Sequence, residues 1–200
     1  MVNVDTRFKR QAGEDFYFLQ KIISLENFTE INSTRVIPSP RESDRVPFGT
    51  GAAMRLLSAS QDRELKTYPF QCYVDLKGFF NEVPNFYQTD KETIEAKILK
   101  LSLPLQNFLI ENRFYEELSS IQANVSTPDK FHDRFFRWFT VFKVIKFLNH
   151  AHANYYVKQE VTAEARKLLT LLGKTPSPEA KELLEEYRAL DRKGLHTNQR

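Results

Sequence analysis

Along most of this chain apolar residues recur three and four positions apart, the spacing that lines one face of a helix, and strict alternation is rare. Near the start, Phe16, Leu19 and Ile23 share a helical face with Phe18 and Ile22 beside it, which predicts a helix whose body is buried. Thr29 to Ile37 instead alternates, is rich in β-branched residues and runs into Pro38, so it predicts one short strand. A lone strand needs a partner, and with no second convincing strand nearby the chain reads as part of a larger sheet. A polar, proline-punctuated loop reaches Pro47, after which Gly49-Thr50-Gly51 leads into a helix through about Ser58.

From Tyr68 onward the pattern is helical. Tyr68 to Tyr87 is an apolar-rich segment with Val74, Phe79 or Phe80, and Val83 as its buried stripe, although Val74 to Phe79 also reads as extended. Thr89, with Glu92 three residues on, predicts an N-cap for a helix through Ile94, Ile98 and Leu101 that stops before Pro104. Leu105, Phe108, Leu109, Phe114 and Leu118 predict one further helix ending near Ala123. Thr127 followed by Pro128 is a strong helix start, and the helix it opens is expected to run to about Tyr156. Phe131, Phe135, Trp138, Phe142 and Ile145 form its face, widened by Phe136, Phe139, Phe147 and Leu148 into the profile of a central helix. Val161–Leu172 and Pro178–Leu190 predict an antiparallel pair joined through Gly173 to Pro176, sealed by Leu168, Leu169, Leu172, Leu183, Leu184 and Tyr187. The tail after Lys193 reads as frayed.

Composition supports that picture and narrows the chemistry. There are 17 Phe against 6 Gly in 200 residues, a balance of packed helices rather than tight-turned β structure. A net charge of +3, from 29 basic and 26 acidic residues, is too mild to imply nucleic acid, and none is expected as a partner. Arg134, Arg137, Lys143 and Lys146 form a basic stripe among aromatics and interrupt the most apolar segment, Phe131 to Leu148, so no membrane span is predicted. Cys72 is the sole cysteine and Met1 to Arg10 lacks an apolar leader core, which together predict a reducing, cytoplasmic location. His150 and His152, two apart on a helix, point to different sides and do not make a shared metal site.

Two stretches remain as candidate chemistry. Glu14 and Asp15 follow Gly13 and open the first helix, where acids are favoured by the free N–H groups of the first turn. They are either simple first-turn acids or carboxylates held at the mouth of a cleft. Arg41 and Arg45 precede Gly49-Thr50-Gly51, whose backbone N–H groups at a helix start suit an anion such as a diphosphate. The plainer reading there is a helix capped by Thr50.

The order Val4-Asp5-Thr6-Arg7-Phe8, a short basic gap, Gly13-Glu14-Asp15 and then an apolar helix resembles the acceptor-side segment of family 2 glycosyltransferases of the GT-A fold. The likeness is specific over residues 4–23 and looser to about residue 60. It departs where many members carry a further acid, here Tyr17, and where glycines usually precede the Phe-Asp turn, here Val2 and Asn3. The resemblance implies inverting transfer of a sugar from a nucleotide-sugar to a hydroxyl acceptor. Asp15 would be the catalytic base with Glu14 beside it, and Arg41, Arg45, Gly49, Thr50 and Gly51 would contact the leaving diphosphate. The divalent magnesium or manganese of that family is held by an Asp-x-Asp motif, which this chain lacks.

The expectation is therefore a mainly α protein, the helical C-terminal region of a GT-A-like α/β enzyme with one or two short strands near its N-terminus. Residues 1–60 would be the acceptor-side remnant, 61–193 the helical region and 194–200 a tail. No cofactor is expected in this chain, and the nucleotide-binding half would lie outside it, leaving the chain inactive alone. The alternative is a non-catalytic helical interaction module.

Overall fold

The computed structural model describes residues 14–23, 29, 31, 33, 34, 36, 37, 39, 50–59 and 65–193. Residues 65–184 form one compact unit, and residues 1–64 group with 185–200 as a second. The protein is mainly helical. The second unit contains α1 (Glu14–Ile23) and α2 (Thr50–Ala59). Among the described residues of 29–39 no strand occurs, and Ser33 lies in a turn. The expected Thr29–Ile37 strand is thus not found there. The sheet that exists pairs β1 (Lys66–Thr67) antiparallel with β2 (Gln159–Glu160). The tail 194–200 lies outside the described residues.

In the larger unit, α3 (Phe70–Glu82) buries Cys72, Asp75, Leu76 and Phe79. Val74, expected on that face, is exposed, because a stripe through Cys72, Leu76, Phe79 and Val83 keeps better helical phase. A 3-10 turn at Val83–Phe86, with Pro84 near its start, ends the segment. The N-cap of α4 (Lys91–Ile98) is Asp90 rather than Thr89. Asp90 Oδ1 accepts from Thr93 N–H at 2.8 Å, while the Thr89 hydroxyl donates backwards to Asn85 O at 2.7 Å.

Two expected helices are each broken in two, for one physical reason. Leu105 to Ala123 forms α5 (Leu103–Glu111) and α6 (Phe114–Ala123), separated by Arg113 in the left-handed conformation at φ 57°. Thr127 to Tyr156 forms α7 (Pro128–Trp138) and α8 (Val141–Asn154), separated at Phe139 and an extended Thr140. At about 100° per residue, Phe114 would point about 180° away from Leu105 on an unbroken helix, and Phe147 about 160° away from Phe131. Each break turns the second set of apolar residues back toward the same core. Phe131, Phe135 and Phe139 are buried from α7 and its end, and Phe147, Leu148 and Ala151 from α8. Trp138 and Phe142 are left half-buried and Ile145 40% exposed, a correction to the single expected face.

Phenylalanine is the commonest residue of the core. α5 packs on α8, α6 on α7, and α3 on both α8 and α9 (Val161–Leu171). Thr127 caps α7 as expected, its hydroxyl accepting from Lys130 N–H at 3.3 Å. Gly173, at φ 73°, terminates α9 with Lys174 N–H donating to Leu169 O and Gly173 N–H to Thr170 O, both at 3.0 Å. The last helix is α10 (Ala180–Arg192). Leu169 and Leu183 are buried as expected, but Leu172 and Leu184 are about half exposed: Leu184 follows Leu183 directly, about 100° around α10, and Leu172 lies just past the end of α9.

Candidate functional site

The carboxylates singled out by sequence sit where a helix begins. Glu14 is the first residue of α1, and its side chain lies outside the described residues. Asp15 is exposed, and its Oδ1 accepts the backbone N–H of Phe16 at 2.8 Å. A first-turn N–H has no helical partner of its own, so this bond both satisfies the amide and fixes the carboxylate at the helix end. The face expected to bury α1 does not do so among the described residues: Leu19 is 51% and Ile23 49% exposed, while Phe16 is half-buried against the Tyr17 ring at 5.9 Å. Periodicity names the face that would bury; only a covering element buries it.

Thr50 and Gly51 fall in the first turn of α2 rather than in a turn ahead of it. Arg41, Arg45 and Gly49 lie outside the described residues. Among the described residues no hydrogen bond or ion pair joins Asp15 to Gly51.

The larger unit holds a polar cluster that sequence reasoning missed. Asp75 is only 8% exposed and Glu164 only 5%. Asp75 Oδ1 accepts from Gln71 Nε2 and Oδ2 from the Tyr156 hydroxyl, each at 2.9 Å. Glu164 accepts the backbone N–H of Phe70 through Oε2 and Lys167 Nζ at 2.6 Å through Oε1. It thereby caps the start of α3, whose N-cap residue Pro69 offers no side-chain acceptor. Val161 N–H donates to Leu65 O at 2.9 Å, and the β1–β2 pair reinforces the same junction. One signal for this cluster stands in the sequence: Asp75 occupies the apolar stripe of Cys72, Leu76 and Phe79, where an unpaired carboxylate would be costly.

Chemically the cluster is closed. Both oxygens of Asp75 and both of Glu164 are engaged by donors. Burial, and then the negative charge of Asp75, push the Cys72 thiol from 9.0 up to about 11, so it is no nucleophile at neutral pH. Burial and the bond to Asp75 push Tyr156 from 10.0 up to about 12. Folded chain keeps these two protons where unfolded chain releases them. The associated stability is whole below about pH 9 and is lost as pH rises from about 9 toward 12. Tyr156→Phe is expected to flatten the upper part of that fall, and unfolding midpoints measured across alkaline pH check it. An unchanged profile would show that the hydroxyl is not bonded to Asp75.

The histidines occupy separate places, as their spacing requires. His150 Nδ1 lies 3.2 Å from Glu111 Oε2 beside the Phe108 and Tyr155 rings, while the exposed His152 has Nδ1 3.0 Å from Tyr156 O. Among the described residues no group of three or more His, Cys, Asp or Glu is placed to hold a metal ion. No described helix is long and apolar enough to cross a membrane. Compared with protein-family models, curated proteins and solved structures, the chain matches none.

Proposed function

We propose that these residues supply the acceptor-side segment and helical C-terminal region of a family 2 glycosyltransferase of the GT-A type, with Asp15 as the catalytic base. The observation that carries the reading is the start of α1 at Glu14, directly after Gly13, which sets an exposed Asp15 carboxylate in the first turn and ties it to Phe16 N–H. This is the placement the family resemblance demands of its base.

In the reaction, the acceptor hydroxyl oxygen attacks the anomeric carbon of a nucleotide-sugar. The bond from that carbon to the diphosphate oxygen breaks, the configuration inverts, and Asp15 takes the hydroxyl proton. Glu14 polarises or positions the acceptor. Arg41, Arg45 and the Gly49-Thr50-Gly51 segment are assigned to the departing diphosphate. Thr50 and Gly51, in the first turn of α2, contribute backbone N–H groups of the kind that bind phosphate. The described residues do not form a divalent-metal site, and no Asp-x-Asp occurs in the sequence. The nucleotide and its ion are assigned to a nucleotide-binding half outside these residues. A cytoplasmic location, where nucleotide-sugars are made, fits this reading.

The test is to join this chain, by fusion or co-expression, to a nucleotide-binding half carrying Asp-x-Asp and to measure transfer from uridine and guanosine diphosphate sugars with manganese. Transfer by the pair and by neither part alone is expected. A folded pair without transfer would overturn the reading in favour of a non-catalytic helical module.

A further inference from the structure

Two helices of the larger unit, α4 and α6, border a cleft of about 460 Å³, within the range of about 300–1,000 Å³ typical of small-molecule sites. Tyr115, Leu118, Ser119 and Gln122 stand at i, i+3, i+4 and i+7 and make the α6 wall, bordered by Glu116 three residues before Ser119. Lys91 and Ile94 make the α4 wall. The helices run in opposite directions along the cleft. Gln122, near the end of α6, bonds to Thr89 O just ahead of α4, whereas Glu95, further along α4, acts on Tyr115 near the start of α6. The floor is apolar, with Ile94 3% and Leu118 2% exposed. The polar groups above it are mostly acceptors. Gln122 Nε2 is taken up by Phe86 O at 2.6 Å and Thr89 O at 3.0 Å, so the end left for a ligand is the amide carbonyl. The hydroxyls of Tyr115 and Ser119 can each accept, and the Glu116 carboxylate can only accept. Among the described residues these three side chains make no hydrogen bond or ion pair. Lys91 is the one cation among the lining residues, and its Nζ already lies 3.6 Å from Glu95 Oε1. Burial, and then the negative charge of Glu95, raise the Tyr115 pKa, so its hydroxyl keeps its proton at neutral pH.

We propose that the α4–α6 cleft binds a small organic amine, a primary ammonium carried on an apolar stem. An ammonium has three donors and no acceptor, which matches walls that offer the Glu116 carboxylate, the Gln122 carbonyl and two hydroxyls. Such an amine is protonated at neutral pH, and Glu95 and Glu116 outweigh Lys91 at the cleft. The stem lies on Ile94 and Leu118, where it leaves water. A carboxylate on the same stem would meet Glu116 and the Gln122 carbonyl with repulsion, and would have to draw Lys91 away from Glu95. The proposal is independent of the transferase reading.

The test titrates the isotope-labelled full chain with n-hexylamine, hexanol and hexanoate, three probes that share a stem and differ in head group, and follows backbone amide signals by NMR. Hexylamine is expected to bind in the millimolar range of so small a ligand and to shift the amides of Ile94, Ser119 and Gln122, with hexanol weaker and hexanoate inert. Glu116→Gln should weaken hexylamine binding about threefold or more, and added salt should weaken it as well. Ser119→Trp keeps every charge but fills the cleft, and should abolish binding. Glu116 and Ser119 are both exposed, and circular dichroism verifies that each variant keeps its helices. No hexylamine-dependent shift in α4 and α6 at tens of millimolar overturns the proposal. So does equal binding of hexanol or hexanoate, or hexylamine binding that Glu116→Gln leaves unchanged. Tighter binding of an acetylated, amidated lysine than of hexylamine would move the occupant to a partner's side chain and overturn the assignment to a free amine.

Discussion

Asp15→Asn should lower sugar transfer by about two to four orders of magnitude in the assembled enzyme, the range in which a positioned general base contributes. Asparagine has nearly the same size and keeps an oxygen that accepts Phe16 N–H, so the helix start survives. What it lacks is an atom able to take the acceptor proton as the new bond forms. The side chain is exposed and, among the described residues, bonds to the first turn of α1, so the unfolding midpoint should move by less than about 3 °C. Glu14→Gln should have the smaller effect on transfer. Rates and melting midpoints measured on the same preparations separate the two roles. Near-normal transfer by Asp15→Asn would leave this residue a first-turn acid and nothing more.

Phe79→Ala should destabilise the larger unit by about 3–5 kcal/mol, the range seen for deleting a buried aromatic ring. Phe79 has no exposed surface, and its ring centroid lies 5.3 Å from Phe139, 5.8 Å from Phe114, 5.9 Å from Phe135 and 6.2 Å from Phe86. Those partners come from α6, α7, the 3-10 turn and the α7–α8 break, so one deletion empties the point where four segments meet. Aromatic pairs at these separations add about 0.5–1.5 kcal/mol beyond the area they bury. Denaturant unfolding of the two proteins gives the difference directly. A loss under about 1.5 kcal/mol would mean that the rings collapse into the gap and that the core is more pliable than its packing implies. Phe142→Ala, at a half-buried position, should cost clearly less.

The contrast between Thr127 and Asp75 shows what the amino-acid order makes legible. Thr127-Pro128 and Gly173 act within a few residues of themselves, and both the α7 start and the α9 end fall where the chain alone places them. The breaks at Arg113 and Phe139 were also written in the sequence, as a shift of about half a turn in apolar phase. A stripe widened on both flanks masks that shift, because it has the outline of one broad face. Asp75 is different. It can be recognised as a polar residue in an apolar stripe, but its partner Tyr156 lies 81 residues away and is chosen by tertiary packing. The same limit applies to the candidate site. Gly13-Glu14-Asp15 marks a helix start, whereas the exposure of Leu19 and Ile23 depends on what covers α1, which no local pattern states.

The carboxylate that caps α3 has a bearing on how the chain is made. Phe70 N–H waits for Glu164, 94 residues later in the sequence. At about 5–20 residues per second on the ribosome, roughly 5–20 s separate the synthesis of donor and acceptor. During that interval the phenylalanine core of α3 to α8 can assemble while the first turn of α3 remains bonded to water. Arrival of α9 then completes the first turn of α3, and a released chain truncated before residue 164 should be cut by protease near Pro69 while the core beyond it resists.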